Sequence, residues 1–299
     1  MSKTENNILL FSITLCWAAG YVFIKDLPAS LSNYGYLTMI CGIAAVLLTA
    51  IFWKKLKLIT PASLGKSALL SGILTLNLLC DKWGIDRLPS STASVIAATS
   101  ILIVPVILFF MRKMPTANNF LGALVIMGGI VITSGFHVEN LLQWGSLFML
   151  FSALLASVYT IIVDRVTKEE DPLLLTILQM WFTAAASFVL WFVEDPRTFA
   201  AVEYSREMLS SIFILAFFSK AYAYVALMYS QKYSDPISVT IISSTEPVVT
   251  LVLAVLIPSA FSENFTMTSV IGAALIMAGA VISGTNFLSR KRRVITNGV

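Results

Sequence analysis

The chain has 299 residues, of which 58% are hydrophobic and only 12% charged, with a formal net charge of +4 and a mean hydropathy of +0.86. A soluble domain carries about 25% charged residues, so this composition excludes a water-soluble globular class and points to lipid. The basic excess is no nucleic-acid signal, because it is distributed by side of the membrane rather than gathered in one patch.

A bilayer core asks about 20 apolar residues of a helix. Ten such spans follow one another, at 7–27, 34–53, 64–85, 91–111, 117–136, 144–163, 173–193, 208–230, 236–257 and 267–288. The expected fold is an all-α membrane protein with ten transmembrane helices. The longest connections, near 194–207 and 258–266, are too short for an extramembrane catalytic or DNA-binding domain. If the N-terminus is cytoplasmic, that terminus, the even-numbered connections and the tail carry fourteen basic residues, among them Lys3, Lys54, Lys55, Lys57, Lys66, Arg112, Lys113 and the run 290–293. The other side carries five: Lys25, Lys82, Arg87, Arg197 and Arg206. This positive-inside bias places both termini in the cytoplasm, and the short loops suit a bacterial inner membrane.

The polar residues inside the spans are the candidate site, since a charge in lipid costs several kcal/mol unless paired or hydrated. In the first span Thr14, Trp17, Tyr21 and Lys25 share one face, as a cavity wall would. In the third, Asn77, Asp81 and Gly84 align; Asn77 is the cavity candidate, while Asp81 and Lys82 are placed near the outer interface and Lys82 can pair with Asp86. The seventh offers Thr176, Gln179, Thr183 and Ser187, for which interhelical hydrogen bonding and substrate contact are both open readings. The ninth offers Thr240, Ser243, Glu246 and Thr250, and Tyr224 lies one turn from Lys220 in the eighth. Lys220 stands 13 residues before the turn at Tyr233 and Glu246 stands 13 after it. In unbroken antiparallel helices both then lie about 20 Å from the turn, as an intramembrane ion pair, a gate, or a structural lock. Alternatively the Glu246 carboxylate satisfies backbone donors freed by Pro247.

Other motifs are bland. Cys16, Cys41 and Cys80 are odd in number and lack metal spacing, and His137 reads as a solvated loop residue. There is no phosphate-binding glycine loop and no His-Glu-x-x-His. No catalytic residue, metal or cofactor is expected.

The fifth and tenth spans nearly repeat each other. Residues 122–132 read GALVIMGGIVI and 272–282 read GAALIMAGAVI, identical at seven of eleven positions and offset by 150. Each closes a set of five spans, so the chain divides into units 1–138 and 139–299. Five is odd, so the second copy enters the membrane inverted, as in many secondary transporters. The small residues of these two spans, Gly122 and Gly279 among them, predict close helix packing in a scaffold or a homodimer contact.

Residues 230–249, SQKYSDPISVTIISSTEPVV, followed by Ser262-Glu263 and the Gly272 stretch, resemble the second EamA-type repeat of the drug/metabolite transporter superfamily. In the first half, Trp17-Ala-Ala-Gly-Tyr with Lys25, then Gly84 through Ser90 to Pro105, and then Pro115 and Gly122, resemble the first repeat more faintly. Departures include a second span without arginine, Leu102-Ile103 standing where the second copy has Glu246-Pro247, and Arg112-Lys113 where relatives carry an acid. The resemblance implies a ten-helix transporter, often an exporter, of small metabolites such as amino acids or of drugs, working without ATP hydrolysis. The expected substrate-binding set is Trp17, Tyr21, Asn77, Gln179, Lys220, Tyr224, Ser243 and Glu246, with the lipid bilayer and a small solute as partners. The rival readings are an intramembrane enzyme acting on a lipid-linked substrate, for which no nucleophile–base pair stands out, and a non-transporting sensor or assembly partner.

Overall fold

The computed structural model describes residues 2–25, 27–28, 30–88, 90–112, 116–133, 143–194, 196–256 and 266–284. His137, Lys113, Pro115, Ser262, Glu263, the basic run 290–293 and the 138/139 boundary lie outside the described residues, as do the side chains of Lys3 and Lys25.

Helices account for every regular element among the described residues. They are α1 (Lys3–Lys25), α2 (Asn33–Phe52) with a 3-10 extension Trp53–Leu58, α3 (Pro61–Ile85), α4 (Ser90–Ala97), α5 (Ser100–Phe110) and α6 (Ala117–Thr133). The second half follows with α7 (Trp144–Glu169), α8 (Pro172–Glu194), the single turn α9 (Thr198–Ala201) and α10 (Arg206–Ile214). A π-helical segment, Leu215–Tyr222, then leads to α11 (Ala223–Tyr233), α12 (Pro236–Ser243), α13 (Glu246–Leu256) and α14 (Met267–Gly284). Local chemistry sets several starts. Thr60 and Ser63 form a reciprocal capping box around Pro61 at the head of α3, and Asp235 accepts from the Ser238 N–H at 3.0 Å ahead of Pro236. Such caps satisfy donors that a helix start leaves without partners.

Seven stretches are long and apolar enough to cross a membrane: Asn33–Leu58, Pro61–Ile85, Thr92–Phe110, Trp144–Glu169, Pro172–Glu194, Arg206–Tyr233 and Pro236–Leu253. Ala117–Ile132 and Val270–Ser283 are shorter apolar helices. Helix α1 has the length, but its first turns carry Lys3, Glu5, Asn6 and Asn7. Together these make a multi-pass membrane protein. Large apolar side chains such as Phe110, Phe192 and Val281 stand on the outside, while Thr176, Thr183 and Gln179 are fully buried.

The halves interleave. Helix α2 packs on α8, α3 on α7 and α8, and α1 on α11, α12 and α13. The most extensive packing of all joins α6 to α14. A Cβ on Gly122 would lie 2.6 Å from the Gly279 carbonyl oxygen, and one on Gly129 would lie 2.6 Å from the Gly272 oxygen. The start of α6 thus meets the end of α14, and the end of α6 meets the start of α14, so the two helices run antiparallel. The 150-residue offset exchanges these two contacts, as an inverted duplication requires.

A second repeat, at an offset of 146, is shared by the two broken spans. Between α4 and α5 the Thr99 N–H reaches the Ile96 carbonyl at 3.0 Å, and its hydroxyl donates there at 2.7 Å. Between α12 and α13, Thr245 makes the same pair of bonds to Ile242 at 3.0 and 2.7 Å. A Thr hydroxyl bonded back to the chain competes with the helical ladder, and Pro247 has no N–H to offer the Ser243 carbonyl. The break corrects the alignment of the two copies: Ser100-Ile101, not Leu102-Ile103, occupies the place of Glu246-Pro247.

The α6–α14 contact predicts opposite outcomes for adjacent glycines. An added Cβ on Gly128 meets nothing within 4 Å, whereas on Gly129 it meets backbone atoms at 2.6 and 2.9 Å that cannot rotate away. Gly→Ala gains about 1 kcal/mol of helix propensity, and overpacking costs about 1–3 kcal/mol. Thermal unfolding in detergent should show Gly128→Ala at or above the wild-type Tm and Gly129→Ala below it.

Candidate functional site

A cavity of about 170 Å³ lies between the halves, lined from α1, α2, α3, α4, α5, α7, the π segment, α11, α12 and α13. Seven of the eight residues expected from the sequence border it: Trp17, Tyr21, Asn77, Lys220, Tyr224, Ser243 and Glu246. Gln179 stands behind the wall instead. It is fully buried and accepts a hydrogen bond from the Tyr159 hydroxyl at 3.0 Å, and Tyr159 is the residue that faces the cavity. Its stripe partners are likewise packed between helices; Thr183 shares a 3.0 Å hydrogen bond with Ser71 of α3. On α1 and α12–α13, Thr14 and Thr250 lie outside the lining, each bonded back to the carbonyl four residues earlier.

The π segment brings Lys220 to the cavity. Its unusual turn is tied to α1, where Trp17 Nε1 donates to the Ser219 carbonyl at 3.3 Å and the Ser219 hydroxyl donates to the Cys16 carbonyl at 3.2 Å. π segments inside α-helices concentrate at functional sites. The Lys220 ammonium sits 5.4 Å from the Tyr224 ring centroid, a cation–π contact. Trp17 and Tyr159 flank the same ring, with centroids at 6.0 and 6.3 Å.

Lys220 and Glu246 line one cavity but form no ion pair; among the described residues, none within 4.0 Å includes either. Equal depth assumed two unbroken α-helices, and both are interrupted, by the π segment on one side and the Ser244-Thr245 break on the other. The acid in electrostatic reach of Lys220 is Asp81 of α3, while Glu246 faces the Tyr21 hydroxyl. Asp81 is thus a cavity residue that depth counting set near the outer interface. A relay holds it: Asn77 Nδ2 donates to Ser152 Oγ at 2.9 Å, and Ser152 Oγ donates to Asp81 Oδ1 at 3.5 Å. Ser152, Ala156, Tyr159 and Thr160 form a helical stripe on α7 that sequence reasoning passed over, and all four line the cavity.

The two ends of the cavity differ. Toward the α1–α2 connection it adjoins a wider vestibule of about 850 Å³, and both are bordered by Ile24, Lys82 and Ile85. Lys82 is nearly buried, paired with Asp86, and its ammonium lies 5.5 Å from the Tyr36 ring centroid. The expected Lys82–Asp86 pair therefore exists, at this neck. At the opposite end, ion pairs cross between the halves: Lys55 with Asp171 at 2.6 Å, and Lys66 with Glu169 and Glu170 at 2.7 and 2.8 Å.

A multi-pass helical membrane protein with a solute-sized cavity, bordered by charged side chains, between two interleaved halves is built like a transporter. A family model for the EamA-like transporter family matches the chain twice, at residues 6–135 and 143–285. The chain belongs to that family, whose members are membrane transporters of small molecules. A solved crystal structure whose description names no function shares the fold at a TM-score of 0.71 and 19% identity, over 97% of this chain and 100% of that one. No functionally curated sequence matches the chain.

The ion pairs at the closed end carry a pH prediction. Burial alone raises the Asp171 carboxyl, but the Lys55 hydrogen bond and the backbone N–H groups of Leu173 and Leu174 outweigh it and hold it below the usual aspartate range. A depressed carboxylate contributes stability above its unfolded pKa of about 4 and loses it as pH falls through the folded value. Asn caps a helix as well as Asp, so Asp171→Asn removes the charge and keeps the cap. The variant should unfold at a lower temperature than wild type at pH 7, and the difference should close as pH is taken down from about 4.

Proposed function

We propose that the chain is a secondary transporter, working by alternating access of its two halves around the cavity and carrying an organic metabolite of amino-acid size. In this reading α1, α6 and α14 also cross the bilayer, giving ten transmembrane helices in two inverted sets of five. The observation that carries the proposal is the cavity itself, in which Lys220 and Glu246 from one half and Asp81 from the other face a shared space. Charges in a membrane interior are retained where they serve a solute or ion path.

Size favours a metabolite over a drug. An apolar cavity of about 150 Å³ takes up benzene, whereas drug-sized ligands occupy pockets of about 300–1,000 Å³. The 170 Å³ available here lies close to the first value and well below the second, which suits a small metabolite. The positive-inside bias supports cytoplasmic termini in an inner membrane. On that orientation the vestibule opens to the outside and the ion-paired end closes the cytoplasmic side. Outward transport follows what the family resemblance implies.

The test combines binding with flux. A ligand at 100 times its Kd stabilises the fold by about 2.7 kcal/mol, so thermal unfolding against amino acids, nucleosides and cationic drugs finds the solute class. The same solute should then exchange across proteoliposomes. Glu246→Gln and Lys220→Met should abolish or strongly reduce exchange while remaining folded. Full exchange by both variants would make the two charges structural and sink the site assignment.

A further inference from the structure

Within that transport reading, we infer that the solute carries one more positive than negative charge, and that it is a diamino carboxylate, the class of the basic amino acids. The argument is a charge count. Among the described residues, two acids and two bases border the cavity: Asp81 and Glu246, Lys82 and Lys220. Lys82 is already neutralised by Asp86. Among the described residues, Asp81, Glu246 and Lys220 have no ion-pair partner within 4.0 Å. With both carboxyl groups ionised, the described residues set two carboxylates against one free ammonium, a deficit of one positive charge in a membrane interior, where uncompensated charge is costly.

The three free groups border one cavity. Asp81 comes from α3 and Glu246 from α13, on opposite halves. The relay from Asn77 through Ser152 occupies one oxygen of Asp81, Oδ1, and Oδ2 has no hydrogen bond among the described residues. Lys220 is 7% exposed and has no hydrogen-bond acceptor among the described residues, yet it borders the cavity. A buried ammonium without an acceptor, aimed into a cavity, is a receptor for an anionic group. A solute carboxylate at Lys220 and two solute ammonium groups, one at Asp81 and one at Glu246, bring the sum to zero. Tyr21, Tyr36, Tyr159, Tyr224 and Trp17 complete the wall, and aromatic faces attract ammonium groups. A zwitterion with a single amine fills only one acidic position and leaves the deficit in place. An anionic solute deepens it.

The test uses the full-length protein in nanodiscs at pH 7 and isothermal titration with four probes. Free L-lysine and L-norleucine have the same chain length and differ by the terminal amine. Cadaverine keeps both amines without the carboxylate, and L-glutamate reverses the charge. Expected is at least tenfold tighter binding of L-lysine than of L-norleucine, with no detectable L-glutamate binding. Asp81→Asn and Glu246→Gln should each cut L-lysine affinity tenfold or more. Lys220→Met should weaken L-lysine and leave cadaverine unchanged or tighter. L-Norleucine or L-glutamate binding as tightly as L-lysine overturns the inference, as does norleucine binding accompanied by uptake of one proton, which would make a proton the missing charge. No binding by any probe overturns it too. Should Asp81→Asn fail to fold, the wild-type ratio of L-lysine to L-norleucine still decides. Flux of whatever binds separates the two readings. A neutral solute that binds and crosses proteoliposomes keeps the transporter and discards the charge rule, and L-lysine that binds without crossing does the reverse.

Discussion

Lipid offers no hydrogen bonds, and this single constraint organises the molecule. Every backbone amide in the bilayer has to be satisfied within its own segment, so every regular element among the described residues is a helix. Every strongly polar side chain has to turn toward another helix or toward water held inside. With the outer surface given over to apolar groups such as Phe110 and Val281, the charges have one destination, the seam between the two halves. The cavity is where the inward faces of α1, α3, α7 and α11–α13 fail to fill the space between them.

Interruptions of the helices sharpen that arrangement. A straight α-helix presents one stripe, and its backbone is closed to ligands. The breaks at Ala98-Thr99 and Ser244-Thr245 and the π segment at Leu215–Tyr222 lie on spans that line the cavity, and each re-aims a side chain into it: Ser100, Glu246 and Lys220. The two breaks use the same Thr hydroxyl at an offset of 146, so duplication supplied a pair of equivalent kinks. Sequence then separated them, leaving a neutral Ser100 on one side and an acid on the other. The cavity is built by symmetric backbone and made asymmetric by its charges.

Much of this was legible in the sequence because the signals are long. Hydropathy over about 20 residues finds the spans, and the repeat 122–132 against 272–282 survives as the α6–α14 contact. Stripes at helical spacing placed Trp17, Tyr21, Asn77, Tyr224 and Ser243 on the cavity side. What failed depended on register. The Lys220–Glu246 pairing assumed a uniform rise through a π segment and a helix break, neither of which has a composition signal strong enough to read. Asp81 was placed near the outer interface and left out of the cavity set, and it borders the cavity with its side chain held by Ser152. Gln179 was right in polarity and wrong in layer, because a stripe identifies a buried face without saying whether helix or cavity covers it.

The two ends of the cavity are bounded by different physics. The end at the α2–α3 and α7–α8 connections is held by Lys55 and Lys66, which keep about a third of their side-chain surface exposed. Partly exposed pairs of that kind contribute roughly 0–1 kcal/mol each. Asn6 Oδ1, Ser230 Oγ and both amide atoms of Gln231 are buried without a hydrogen-bond partner among the described residues. At the other end Lys82 is nine-tenths buried, paired with Asp86 and set against Tyr36, so displacing it strands a charge rather than releasing a strained group. A solute that binds one arrangement about 10⁴-fold better than the other is needed to invert a 1:99 population. On the proposed transport cycle, weak latches lower the differential binding a solute has to supply at the ion-paired end, and the buried Lys82–Asp86 neck raises it at the other.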